Sequence, residues 1–197
     1  SPPSVTLKRQ NGCHLLLVGQ QPTAAAGMLA VASASLLAEV SPTDGPTDSP
    51  SEESSARTVP VVSILDGSAA QSDEHTLWRR FSSVMKAYRP DDVAVYGPSD
   101  AADVLENYMR ELERREERAD QEFSTRVLIV FDVARFRTLR KSDDDFGFGR
   151  HDAEKRLSSS QQFAEILKRG PSVGLHLLVW CDTNSNAMRW LGMQLLR

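Results

Sequence analysis

The chain has little of several things that would narrow its function at once. It carries two cysteines in 197 residues, Cys13 and Cys181. Two cysteines make no disulfide framework, and in a parallel sheet these would sit at opposite edges, too far apart to bridge. A reducing, cytoplasmic setting is the default expectation. Four histidines, at 14, 75, 151 and 176, show no metal-ligand spacing, so no metal site is expected. No apolar run approaches the roughly 20 residues that cross a bilayer, and no secretory signal stands at the start. Positive charge is not in excess: the formal net charge is −4. That excludes a domain that grips DNA alone through a broad basic face, because phosphate neutralisation takes clustered Lys and Arg. A local basic patch remains compatible with it.

What is present fits one globular domain with a sizeable core, residues 1–197, at 40% hydrophobic and 25% charged content. The chain begins Ser1-Pro2-Pro3 and stops at Leu195-Leu196-Arg197, and reads as a piece of a longer protein. Apolar β-rich runs alternate with helical patterns. Strands are expected at Val5–Leu7 (short), Leu15–Val18, Val59–Leu65, Val93–Tyr96, Arg126–Asp132 and Leu175–Trp180. Helices are expected over Ala24–Val40, Glu74–Tyr88, Asp100 to about Asp120, and Gln161–Arg169, with a further helix or turn from Trp190. In the second helix Leu77, Phe81, Val84, Met85 and Tyr88 share a helical spacing. In the third, Ala101, Val104, Leu105, Tyr108, Met109 and Leu112 form one stripe, whereas Glu113–Arg118 shows no apolar face and reads as a solvated helix end. Two segments interrupt the alternation: a flexible Ser/Pro/Asp/Glu-rich loop at 41–57 and a polar insert at 137–160. Strands buried on both faces, alternating with helices, mean an α/β domain with a mostly parallel sheet flanked by helices.

Ligands of such sheets bind outside the carboxyl ends of the strands. The residues there are Gly19–Ala26, Asp66, Gly97, Asp132 and Asp182-Thr183. The first segment has the frame of a phosphate loop, an apolar strand, a glycine and a small-residue run opening a helix. A working loop reads Gly, four residues, then Gly-Lys-Ser/Thr. Counted from Gly19, those last positions hold Ala24, Ala25 and Ala26, so the lysine and the magnesium-binding hydroxyl are missing. Gln20, Gln21, Pro22 and Thr23 fill the interval, and the two glutamines could hydrogen-bond a ligand. Asp132 follows a run of apolar residues in the manner of a magnesium-holding Walker B aspartate, and equally suits a strand-end cap. Val133 stands where a motor ATPase places a glutamate to activate water. Asp66-Gly67 reads as a turn, Asp143–Asp145 as a solvated loop, and Trp180, Cys181 and His176 as interior residues.

Together these segments resemble the FtsK/SpoIIIE-type DNA translocases. His14–Met28 aligns without gaps on their His-Leu-Leu-Val-Ala-Gly-Thr-Thr-Gly-Ser-Gly-Lys-Ser loop, and Val127–Phe136 resembles their Walker B strand. Gly170–Val179 is similar to their Arg-Ala-Ala-Gly-Ile-His-Leu strand, with Cys181-Asp182-Thr183 in place of the Ala-Thr-Gln sensor tip. The resemblance implies a RecA-like P-loop fold in which the Leu175–Trp180 strand lies between the loop strand and the Walker B strand. It implies a degenerate copy: Gly19–Ala26 a vestigial nucleotide site, Asp132 Walker B-like, Asp182 and Thr183 sensor-like, and no catalytic residue. No cofactor is expected in this domain, with ATP and Mg²⁺ used elsewhere in the parent protein. The implied partners are other ATPase domains of the same chain, a homo-oligomeric ring, and DNA through the parent, with no membrane segment in this stretch. Two alternatives stay open: an ATP-binding motor domain with an atypical loop, moving DNA or, in type VII secretion relatives, protein; and an unrelated α/β binding module.

Overall fold

The apolar runs become the strands of one sheet, and the computed structural model describes residues 5–40, 59–140 and 157–191. In chain order the elements are β1 (Leu15–Val18), α1 (Pro22–Glu39), β2 (Val62–Asp66), α2 (Asp73–Tyr88), β3 (Val93–Tyr96), α3 (Ala101–Glu117), β4 (Arg126–Phe131), α4 (Ser159–Arg169), β5 (Leu175–Cys181) and α5 (Asn184–Leu191). Short 3-10 turns cover Pro98–Asp100, Val133–Arg135, Arg137–Leu139 and Gly170–Val173.

The strand order is β1-β5-β4-β2-β3, and every pairing is parallel. β5 thus lies between β1 and β4, as the resemblance implies. Leu15 to Val18 pair with Leu178 to Cys181, and β2, β4 and β5 are buried along their whole length. Each fully buried Val, Leu or Ile there contributes roughly 1.5–3 kcal/mol of apolar transfer.

Two apolar layers cover the sheet. Ala25, Ala26 and Leu29 of α1 and Trp78 of α2 pack with Val62, Ile64, Ile129, Phe131 and Trp180. On the other face α3 (Leu105, Tyr108, Leu112), α4 (Phe163, Ile166) and α5 (Ala187, Leu191) pack with Leu65, Leu128, Val130 and Leu177. The chain crosses the sheet one way through α1 and α2 and returns through α3 and α4. The helices change face at that reversal, as right-handed crossovers require.

Several sequence expectations shift. Val5–Leu7 forms no strand; the Cys13 thiol donates to Thr6 O and accepts from Lys8 N–H, folding the segment onto the approach to β1. β2 starts at Val62 rather than Val59, because Pro60 has no N–H to give a ladder. On α2 the buried face runs through Glu74, Trp78 and Ser82, and Val84 and Tyr88 are exposed. The Trp78 ring sets that rotation, meeting Phe131 edge-on at 5.5 Å. Glu113–Arg118 is not wholly solvated, since Arg115 is 1% exposed and binds the buried Glu111 at 2.7 Å. α1, expected to fall short of a bilayer span, is by length and composition long and apolar enough to cross one; its inner side packs on the sheet. The 41–57 loop and Asp143–Asp145 lie outside the described residues. Of the 137–160 insert, Arg137–Leu139 is a 3-10 turn and Ser159-Ser160 already belong to α4.

Candidate functional site

Neighbouring strands whose connections leave toward opposite faces open a crevice at their carboxyl ends. That happens three times here, between β1 and β5, between β4 and β2, and between β2 and β3. Gly97 stands at the third, and the other sequence-expected residues gather at the first two. Gly19 N–H donates to Cys181 O at 3.0 Å, closing the β1 and β5 tips on each other. Gly67 N–H donates to Phe131 O at 2.9 Å, doing the same for β2 and β4. A side chain at Gly67 is excluded: its Cβ would lie 2.7 Å from Phe131 O and 2.8 Å from Asp132 O.

The turn after β1 is only Gly19-Gln20-Gln21. Pro22, Thr23, Ala24, Ala25 and Ala26 are the first helical residues of α1. Pro at the first position suits a helix start and removes one N–H; Ala25 N–H already binds Gln21 O at 3.1 Å. Ala25 and Ala26 are buried in the layer that holds Trp180 and Phe131, whose rings stack at 4.6 Å. Thr23 Oγ1 donates to Glu74 Oε1 at 2.5 Å, tying the first turns of α1 and α2 together. That hydrogen bond holds the Glu74 carboxyl below the usual range.

Asp132 sits in the left-handed region at φ 58°. Its carboxylate makes no cap; it takes Arg135 Nε at 3.3 Å. Burial pushes its pKa up against that pairing, and the charges of Asp182 and Asp66 add to the rise. Val133, in the glutamate position of a motor, is fully buried against the α3–α5 layer. Asp182 accepts from Asn186 Nδ2 at 2.8 Å, which keeps its pKa low. Thr183 Oγ1 accepts Asn186 N–H and so caps α5. Both sensor-like residues are therefore engaged in starting α5.

Two features were not legible from the sequence. Asp66, expected as a turn residue, is buried. It accepts Ser68 N–H at 2.9 Å, the Ser68 hydroxyl, and His75 Nδ1–H at 2.8 Å. His75 is presented by the first turn of α2, whose N-cap Ser72 accepts its N–H at 3.2 Å; that serine before Asp73-Glu74 was the available signal. Asp66 thus fixes the His75 ring through Nδ1. No described hydroxyl or thiol is hydrogen-bonded to Nε2 to serve as a nucleophile. The second feature is the Thr23–Glu74 contact, which joins residues 51 apart. No group of three or more His, Cys, Asp or Glu among the described residues is placed to hold a metal ion.

No family model matches the chain, and no curated protein matches it in sequence. Among solved structures it is similar to the cytoplasmic domain of the Thermomonospora curvata type VII secretion ATPase EccC. The TM-score is 0.53 at 14% identity, over 92% of this chain and 18% of that one. At that identity the likeness speaks to fold: the chain has the α/β fold of a P-loop ATPase, a parallel sheet flanked by helices. It spans less than a fifth of the length of the chain it matches.

Proposed function

We propose that the chain is a degenerate FtsK/SpoIIIE-like ATPase domain of a larger motor protein, with a structural or regulatory role and no ATP hydrolysis of its own. The observation that carries the reading is the occupant of the phosphate position. The first turn of α1 offers no lysine, and Glu74 is bound to Thr23 there. Asp66, Asp132 and Asp182 stand at the neighbouring tips. A triphosphate brings several negative charges and needs cations and backbone donors; these carboxylates repel it, and Pro22 lacks one of the backbone donors. Losing a single charge-assisted phosphate contact costs about 1.5–3 kcal/mol, and here more than one is lost. Buried Ala25, Ala26 and Val133 support the same reading: the apolar residues serve packing where a motor needs polar ones.

Active copies elsewhere in the parent would bind ATP and Mg²⁺, and this domain would pack against them, in a ring of subunits. The cargo would be DNA, as for the translocases the sequence resembles, or protein, as the name of the type VII secretion ATPase EccC suggests. A cytoplasmic setting agrees with the cytoplasmic domain it matches in fold. Calorimetric titration with Mg-ATP tests the proposal. No saturable heat is expected up to millimolar nucleotide, and no phosphate release. Micromolar affinity in the unmodified chain would overturn the degenerate reading in favour of a nucleotide-binding domain with an atypical loop.

A further inference from the structure

The 3-10 turns after β4 and helix α5 build one exposed basic face on the α3–α5 side of the sheet. Phe136 is buried, and its carbonyl accepts Trp190 Nε1–H at 3.1 Å, which fixes α5 on the turns. Arg135 and Arg137 flank Phe136 and are exposed. The Arg140 guanidinium lies 5.9 Å from the centre of the half-buried Trp190 ring. Arg189 and Met188 are exposed on α5 just before Trp190. Arg135 is held by Asp132, whereas Arg137, Arg140 and Arg189 have no carboxylate partner among the described residues. Arg89, Arg110, Arg114, Arg115 and Arg169 hold carboxylates. Exposed Arg79 and Arg80 on α2 likewise hold none among the described residues, but neither is set over an aromatic ring as Arg140 is. In a chain of net charge −4, this is a local cluster of positive charge among the described residues.

We propose that this face is a docking surface for an acidic peptide segment of a partner protein. Charge complementarity selects an anionic partner, and the apolar side chains beside the arginines select a peptide over a nucleic acid. Trp190 and Met188 add the aromatic and thioether contacts typical of protein interface cores. The inference is independent of the reading of the nucleotide site.

An acetylated octaglutamate peptide titrated into the full 197-residue chain at physiological salt tests it. Calorimetry gives the affinity and Trp190 emission locates the contact, since Trp78 and Trp180 lie in the opposite layer. Saturable binding is expected, with a change in emission that is lost in Trp190→Phe. The affinity should fall at least about tenfold in the double variant Arg137→Gln/Arg189→Gln, whose exposed side chains leave the core intact. The proposal is overturned by no saturable binding up to millimolar peptide. It is equally overturned by unchanged affinity in the double variant, by binding without a Trp190 signal, or by tighter binding of octathymidylate, which would assign the face to nucleic acid.

Discussion

His14 holds its place only as a neutral ring. Its Nδ1 accepts Leu177 N–H at 2.9 Å, so the proton resides on Nε2, which donates to Leu167 O at 2.7 Å. One imidazole thus joins the approach to β1 to both β5 and α4. His176 is neutral too: Nδ1–H donates to Cys13 O at 2.7 Å, and buried Nε2 has no partner. Burial lowers both pKa values from 6.5; the neighbouring ring lowers His14 further, and Arg9 and Arg115 lower His176 further. The unfolded chain therefore binds these protons before the folded one does. The stability they confer is complete above about pH 6.5 and declines as pH falls from there toward the folded pKa values. Denaturant unfolding of the chain between pH 7.5 and 5 should show that loss. His14→Gln, which can accept and donate but does not titrate, should show a shallower one. Parallel curves would show that the tie does not depend on His14 neutrality. His176 was legible as interior from its place inside an apolar strand. The pairing with Cys13 and the fit of His14 between two elements were not, because both join residues more than 150 apart in the chain.

At the scale of elements, α3 shows where a pattern ended too early. Its apolar stripe, Ala101 through Leu112, is buried as the spacing indicates, and the same face continues through Arg115. That side chain donates to Glu111 Oε1 at 2.7 Å, Ser124 O at 3.0 Å and Val173 O at 2.8 Å. Its guanidinium lies over the Phe123 ring. It ties the end of α3 to the segments entering β4 and β5. Burial lowers its pKa to about 10 despite Glu111, so it stays charged near neutrality. Arg115→Ala would leave Glu111 buried with only Arg114 and strand two carbonyls, at a cost of about 3–5 kcal/mol. Arg110→Ala, which removes an exposed pair with Glu106, should stay within about 1 kcal/mol. Urea midpoints of the two variants measure the contrast, and similar small shifts in both would show that the buried network is not a structural tie. Hydrophobic patterning is blind here because a charged residue on an apolar face looks like a break in the stripe. Only the third dimension supplies the carbonyls that make its burial favourable.

Over the whole molecule, strand positions and the parallel class were readable because buried parallel strands are nearly continuous apolar runs. The order β1-β5-β4-β2-β3 was not readable from periodicity. The resemblance gave only the place of β5 between β1 and β4, which brings Gly19, Asp132 and Asp182 to one edge; the places of β2 and β3 came with the structure. The carboxylate surroundings of that edge depend on Asp66, Glu74 and His75, which β2 and α2 deliver from another part of the chain. The uniformity of α1 posed a further problem. From Pro22 to Ala38 it has no charged residue, so sequence alone does not say which side meets the sheet. The structure buries Leu29, Ser33 and Leu37 and leaves Met28 56% and Val31 68% exposed. If the sheet and α2 cover only that inner side, neighbouring positions must respond oppositely. Leu29→Ala removes a fully buried side chain and should cost about 2–5 kcal/mol. Val31→Lys places a long polar side chain in solvent, where its helix propensity exceeds that of valine, and should leave the midpoint within about 0.5 kcal/mol. Thermal unfolding of the two variants measures the difference. A loss in Val31→Lys as large as that in Leu29→Ala would mean that the outer side of α1 is also closed by packing, in a second copy or within the chain.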